Sequence, residues 1–284
     1  SETCMRVVIL SKTFVAATAQ RQLEWLARQP DISLTLITPP VWHSDDGRRL
    51  PFVGRYTDGY AVRPLPVVFN GRYHRYLYRG LGQVLHAERP DLIHIDEEPY
   101  NPAGFQAQWL AARMDVPTVF VAWQNIQRSY PPPYAWLEAY DYSRTAHVIA
   151  GSAAAAAVVR RKGYRGPLST FSVHGVDPEV YAPQAVSRDP DRFVIGYLGR
   201  LVKEKGVDLL IDALARLPAC ARLRIVGDGP RAAALRQQAA RGGLAPRVEF
   251  VRAVAASDVP RLLSGMDALA LPSRTPPHWM EQFG

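Results

Sequence analysis

Short aliphatic runs separated by stretches of helical period recur from one end of the chain to the other. This alternation constrains the fold more than any other feature. Arg6–Leu10, Ser33–Thr38, Ala61–Phe69 (interrupted by Pro64 and Pro66), Leu92–Ile95, Thr118–Trp123, His147–Ala150 and Ser169–Val173 read as strands. Helical patterns lie between most of them, at Thr18–Gln29, Tyr73–Glu88, Pro102–Met114 and Ser152–Lys162. Strands this continuously apolar are covered on both faces, and strands joined through helices pair in parallel. A polar stretch with Asp177-Pro178, Ala182-Pro183 and Asp189-Pro190 then interrupts the pattern. It restarts with strands at Phe193–Tyr197, Arg222–Val226, Val248–Val251 and Ala268–Leu271, and helices at Val207–Leu217, Arg231–Arg241 and Asp258–Ser264. The expectation is an α/β chain of two Rossmann-like, doubly wound parallel-sheet domains facing each other across a hinge. The first spans 1–177, a linker 178–191 and the second domain 192–284. Such sheets usually run to roughly six strands, so the second domain is expected to be incomplete.

Composition removes several function classes. The chain has 284 residues, 48% of them hydrophobic, enough to bury two cores. No apolar run approaches the roughly 20 residues of a membrane span. Two cysteines, Cys4 and Cys220, make neither a disulfide framework nor a four-cysteine zinc site. They fit a reducing compartment, so a cytoplasmic location is expected. The net charge of +8 is spread over both halves with no polybasic tail, which argues against a nucleic-acid partner. Among 34 basic residues only Lys12, Lys162, Lys203 and Lys205 are lysines, two of them in one short run. No G-x-S-x-G, P-loop or H-E-x-x-H sequence is present to suggest hydrolase or ATPase chemistry.

Two glycine-bearing turns stand where ligands usually bind in such sheets, at the carboxyl ends of strands. In Leu198-Gly199-Arg200-Leu201-Val202-Lys203-Glu204-Lys205-Gly206, Arg200 and Lys205 set two cations beside a helix N-terminus, an arrangement suited to a diphosphate. A solvated basic turn is the plainer alternative. Gly227-Asp228-Gly229-Pro230-Arg231-Ala232 meets the spacing of a dinucleotide fingerprint, with Glu249 near the place of a ribose-binding acid. A tight turn permitting close backbone approach is the alternative there. After the fourth strand, Glu281 offers a carboxylate to sugar hydroxyls. The Asp189-Pro190-Asp191 pair and the group His94, Asp96, Glu97 and Glu98 suggest weaker metal sites, and no metal is expected. Arg72, Arg75 and Arg79 form a stripe on the Tyr73–Glu88 helix. It reads as a solvated face or as a peripheral contact with anionic membrane.

The run Gly196-Tyr197-Leu198-Gly199-Arg200, then Lys205-Gly206, Val226-Gly227-Asp228-Gly229-Pro230, Pro272-Ser273 and Glu281-Gln282-Phe283-Gly284 resembles the donor domain of family 4 retaining glycosyltransferases of GT-B fold. In the first half, Asp96-Glu97-Glu98-Pro99-Tyr100, Trp123-Gln124-Asn125-Ile126, Tyr130-Pro131-Pro132-Pro133-Tyr134 and Gly175-Val176-Asp177 are similar to runs in bacterial members.

The resemblance implies sugar transfer from a nucleotide-diphosphate-sugar to a glycan or lipid-linked acceptor, without cofactor or essential metal. It gives Arg200 and Lys205 the donor diphosphate, and Glu281 the donor-sugar hydroxyls. Gly199, Gly227, Gly229, Arg252, Phe283 and Gly284 fall on donor-binding segments. Glu98, Tyr100, Gln124 and Asn125 fall on the acceptor side, where Gln124 and Asn125 replace a histidine common in relatives. A family motif's second glutamate would lie beyond Gly284, and the loop Ser11–Ala17 lacks the glycines many relatives carry. Two alternatives stay open: a nucleotide-sugar-binding module without turnover, and a dinucleotide-dependent oxidoreductase at the Gly227 turn.

Overall fold

The computed structural model describes residues 4–44, 47–172 and 175–282. The chain divides into two compact units, Ser1–Gly175 and Val176–Gly284.

In the first unit the apolar runs form β1 (Met5–Leu10), β2 (Ile32–Thr38), β3 (Ala61–Pro64), β4 (Leu92–Ile95), β5 (Thr118–Ala122), β6 (His147–Ala150) and β7 (Leu168–Thr170). They make one sheet in the order β7-β6-β5-β4-β1-β2-β3, every neighbouring pair parallel. Helices α1 (Ala17–Ala27), α2 (Leu81–Glu88), α3 (Pro102–Arg113), α4 (Tyr134–Arg144) and α5 (Ala153–Arg161) accompany it. Alternate side chains of β1 explain why Val7–Leu10 is apolar throughout: successive residues point to opposite faces, and both are covered. Val8 and Leu10 join a core with Ile93, Ile95, Phe120, Leu81, Leu85 and Ala107. Val7 and Ile9 join the other, with Leu34, Leu36, Phe14 and Leu23. Asn101 caps α3, its side chain accepting from the Ala103 N–H with Pro102 in the first turn, and Ser152 caps α5 by accepting from Ala155.

The second unit repeats the logic with β8 (Phe193–Leu198), β9 (Ala221–Val226), β10 (Val248–Val251) and β11 (Ala268–Leu269). Their order is β10-β9-β8-β11, again parallel. Helices α6 (Val207–Leu214), α7 (Ala232–Arg241) and α8 (Val259–Ser264) follow β8, β9 and β10. Val207, Ile211 and Leu214 of α6 and Leu235 and Ala239 of α7 pack against Leu223 and Ile225. In each sheet the strand order reverses beside the first strand, between β1 and β4 and between β8 and β11. Loops at the carboxyl ends diverge at such a reversal and leave a crevice.

One sequence expectation is refined and one corrected. The run Ala61–Phe69 breaks at its prolines into β3 and the short Val67–Val68, which leaves the main sheet and pairs antiparallel with Leu77–Tyr78. The helix expected over Tyr73–Glu88 exists only as α2. Tyr76 and Tyr78 are fully buried at alternate positions, as a strand requires, and Gly80 in the left-handed region (φ +72°) starts the helix. Arg72, Arg75 and Arg79 therefore share no helical stripe, and membrane contact loses that basis. No helix among the described residues is long and apolar enough to cross a membrane.

Candidate functional site

At the reversal of the second sheet, the β8 and β11 loops touch through Gly206. Its backbone is left-handed (φ +64°), and a Cβ there would lie 2.2 Å from the Pro272 carbonyl oxygen. Only glycine satisfies both demands. Arg274 holds the far loop down: its N–H donates to the Glu204 carbonyl at 2.7 Å, and its guanidinium pairs with Asp208 of α6 at 2.5 Å.

This docking brings Lys205 and Glu281 together, Nζ to Oε2 at 2.5 Å, with both side chains mostly buried. The Ser273 hydroxyl donates to the same Oε2 at 2.6 Å, and the Lys205 ammonium lies 5.3 Å from the centre of the Trp279 ring. Burial alone would raise the Glu281 carboxyl. Hydrogen bonds from Lys205 and Ser273, helped by the charges of Lys205 and Arg200, outweigh it and hold Glu281 below the usual glutamate range. Arg200 is solvent-exposed, its loop anchored by the Tyr197 hydroxyl donating to the Arg200 carbonyl at 2.9 Å. Two cations and one hydrogen-bonded carboxylate thus share one loop cluster.

The Gly227 turn packs backbone to backbone against the β8 loop. A Cβ on Gly227 (φ +146°) would stand 1.9 Å from the Gly199 carbonyl oxygen, and Leu201 N–H donates to Asp228 at 2.9 Å. Gly229 abuts the Leu201 backbone in the same way. Arg252 is nearly all in solvent, its Nε 3.9 Å from an Asp228 carboxyl oxygen. Glu249, the acid of the dinucleotide alternative, pairs instead with Arg224 across β9 and β10 at 2.7 Å. Phe283 and Gly284 lie outside the described residues.

The first sheet's reversal carries a second polar cluster. Lys12, after β1, forms a close ion pair with Glu97, after β4, and its ammonium faces the rings of Trp42, Tyr73 and Tyr76 at 5.1–5.9 Å. Ser11 donates to Asp96 at 2.8 Å, and Trp123 Nε1 to the same carboxylate at 3.2 Å. Gln124 donates to the Tyr130 hydroxyl at 2.8 Å and accepts from Lys162 at 2.6 Å, while Lys162 also pairs with Glu138 at 2.5 Å. The Tyr100 and Tyr130 ring centroids lie 4.2 Å apart, the planes tilted by 31°. Tyr100 and Gln124 are therefore joined through Tyr130, with Asn125 the next residue along. Three of the four lysines sit in these ion pairs; their scarcity was the sequence signal that could have found Lys12 and Lys162.

Desolvation pushes the Glu98 carboxyl up to about 7, more than the ammonium groups of Lys12 and Lys162 lower it. A glutamate near 4.5 unfolded and near 7 folded binds more protons in the folded chain between those values. Its contribution to stability is therefore greatest at low pH and falls as pH rises through that window. Glu98→Gln is expected to raise the melting temperature at pH 8 by roughly 3 °C and to leave it unchanged near pH 4.5; melting curves across this range check it. Burial holds His94 down at about 4, so it is neutral, and the described residues contain no group of three or more potential ligands that could hold a metal ion. Asp189 pairs with Arg192 at 2.7 Å.

Fold and loop chemistry together define a two-unit α/β protein of the GT-B type. The family model described as "Glycosyl transferase 4-like domain" matches residues 15–174, more than half of the chain, and "Glycosyl transferases group 1" matches residues 192–284. The chain belongs to this glycosyltransferase family. It is 38% identical over 113 residues to the GDP-mannose-dependent alpha-(1-6)-phosphatidylinositol monomannoside mannosyltransferase of Mycolicibacterium smegmatis, covering 36% of this chain and 29% of that enzyme. Against the 2-deoxystreptamine glucosyltransferase of Streptomyces kanamyceticus it is 33% identical over 111 residues, 34% of this chain and 29% of the relative. The matched segment thus spans under a third of either relative. The crystal structure of Anabaena HepE in complex with UDP and glucose superposes with a TM-score of 0.66 at 20% identity, over 99% of this chain and 76% of that one. That likeness establishes the fold.

Proposed function

We propose that this chain transfers a sugar, with retention at the anomeric carbon, from a nucleotide-diphosphate-sugar to a glycan or lipid-linked acceptor. The observation that carries the reading is the Lys205–Glu281–Ser273 cluster beside Arg200 at the second sheet's reversal. When the bond between the anomeric carbon and phosphate breaks, its electron pair leaves on the diphosphate. On this reading Arg200 and Lys205 stabilise that growing charge, the role a divalent metal plays in other diphosphate sites. Glu281, kept ionised, accepts hydrogen bonds from donor-sugar hydroxyls. Gly199, Gly227 and Gly229 keep the loops beneath the donor in place, and Arg252 is assigned to the nucleobase side.

Glu98, Tyr100, Gln124 and Asn125 are assigned to the acceptor. Gln124 and Asn125 are neutral amides, which favours a same-face displacement in which the departing phosphate takes the acceptor proton. Free Cys4 and Cys220 support placing this work in a reducing, cytoplasmic compartment. The GDP-mannose dependence and phosphatidylinositol mannoside acceptor of the mycobacterial relative support a nucleotide-sugar donor and a lipid-linked acceptor, without fixing the base used here. The dinucleotide alternative finds no support, since Gly227 and Gly229 are used by backbone packing and Glu249 by Arg224.

A panel of uridine, guanosine and adenosine diphosphate sugars tests the reading. At a hundredfold excess over its dissociation constant, the right nucleotide adds about 2.7 kcal/mol and raises the melting temperature by several degrees. Transfer or slow hydrolysis of that sugar should accompany it. A panel in which no member shifts the melt removes the reading; a shift with no turnover leaves a binding module.

A further inference from the structure

Helices α3 and α4 pack side by side, and each carries the same pattern on its outer surface. On α3 it is Phe105, Trp109 and Arg113; on α4 it is Trp136, Tyr140 and Arg144, in both cases at spacing i, i+4, i+8. Residues four apart lie above one another on a helix, so each set is a stripe of two aromatics ending in an arginine. The stripes are joined where the Phe105 and Tyr140 rings meet edge to face, centroids 5.2 Å apart. Each guanidinium lies against its own stripe, Arg113 at 4.8 Å from the Trp109 ring and Arg144 at 5.8 Å from Tyr140. Trp109 and Trp136 stay 42% and 68% exposed.

The outward charge of both helices is positive. Helix α3 contains no acidic residue, and the two on α4 are spent inside: Glu138 is bound to Lys162 and Asp141 is fully buried. Asp115 lies just past the end of α3. A single exposed tryptophan needs no explanation, but two in one basic patch select a partner that is apolar within and anionic at its surface. An indole fits the boundary of a bilayer, ring toward the acyl chains and N–H toward the head groups, while arginine pairs with phosphate. A second copy of the chain would oppose arginine with arginine. Beside the patch, a shallow groove between α2 and α3 is lined by Leu110, Met114, His86 and Arg113, continuing the same chemistry.

We infer that the α3–α4 face docks on an anionic lipid bilayer through Trp109 and Trp136, with Arg113 and Arg144 on lipid phosphates. This surface is separate from the corrected Arg72–Arg79 stripe, and it stands or falls independently of the transfer reading.

Co-sedimentation of the whole chain with vesicles tests it. The protein should bind phosphatidylcholine vesicles doped with phosphatidylglycerol, bind pure phosphatidylcholine much less, and weaken as salt rises. The double variant Trp109→Ala, Trp136→Ala should lose about tenfold or more in partitioning. Arg113→Gln and Arg144→Gln should each lose about fivefold. All four residues are exposed, Trp109 less so than Trp136, so melting temperature should change little and nucleoside diphosphate binding should stay at the wild-type value, which separates a failure here from a failure of the donor site. Equal partitioning of wild type and the tryptophan double variant overturns the inference. So does capture by immobilised polyglutamate with no binding to any vesicle, which would make the partner an acidic protein.

Discussion

Lys205→Ala is expected to lower turnover about a thousandfold while leaving the melting temperature within a degree or two of wild type. The side chain is one of two cations facing the proposed leaving group, and it is the direct ion-pair partner of Glu281 at 2.5 Å. Its removal takes away charge where charge develops, and it also deprives Glu281 of its ion-pair partner, while the Ser273 hydrogen bond and the Arg200 charge stay. The carboxyl then moves back up toward its ordinary range, because burial is no longer opposed by the ammonium. Activity remaining in Lys205→Ala should therefore fall at a higher pH than in wild type as conditions are acidified. Lys205→Arg keeps the charge but not the compact geometry, and should recover only part of the rate. Steady-state rates over pH, with melting curves on the same samples, check each statement. Because the pair is part of a loop cluster and buries little apolar surface, a large loss of stability in Lys205→Ala would assign it to folding instead.

Gly227→Ala is expected to destabilise the second unit by about 3–5 kcal/mol, a fall in melting temperature of more than about 10 °C for a unit of this size. The added methyl would meet the Gly199 carbonyl oxygen at 1.9 Å, and that atom is backbone that cannot rotate aside. Movement of the turn would also strain the Gly227 N–H bond to the Val251 carbonyl at 3.0 Å. Gly243→Ala is the matched control. Its φ is +67°, but nothing lies within 4 Å of the new methyl, so only the left-handed backbone cost of about 1 kcal/mol is expected. Calorimetry of the two variants checks the contrast; equal melts would mean that the β8 and β9 loops do not interlock through glycine.

Both parallel sheets were legible because their strands are apolar on two faces and their helices keep a 3.6-residue period. Val248–Val251 is a strand with the expected bounds, while most other elements shift at an end by one to three residues. The Tyr73–Arg79 segment misled for a definite reason: arginines at 72, 75 and 79 mimic a helical face, whereas the two-residue alternation of buried Tyr76 and Tyr78 decides the backbone. Helix α4 escaped because its pattern follows three prolines, which mark its start as readily as a loop. Arg200, Lys205 and Glu281 stood out as residue types at strand ends. Their arrangement did not, since Lys205 and Glu281 are 76 residues apart in sequence, and the Pro272-Ser273 run carried no sign that its hydroxyl meets Glu281. Lys12 and Glu97, 85 residues apart, were hidden in the same way. Glu249 shows the converse error: a fingerprint's spacing was met by a residue whose strand position gives it to Arg224.

Calorimetric titration of the wild-type chain with a nucleoside diphosphate and the matching monophosphate most directly tests the pyrophosphate seat at Arg200 and Lys205. The account predicts that the second phosphate tightens binding by at least about tenfold, each charge-assisted contact contributing roughly 1.5–3 kcal/mol, and that Arg200→Ala with Lys205→Ala abolishes the difference. Equal affinity for the two nucleotides in wild type, or a diphosphate preference that survives in the double variant, would contradict it.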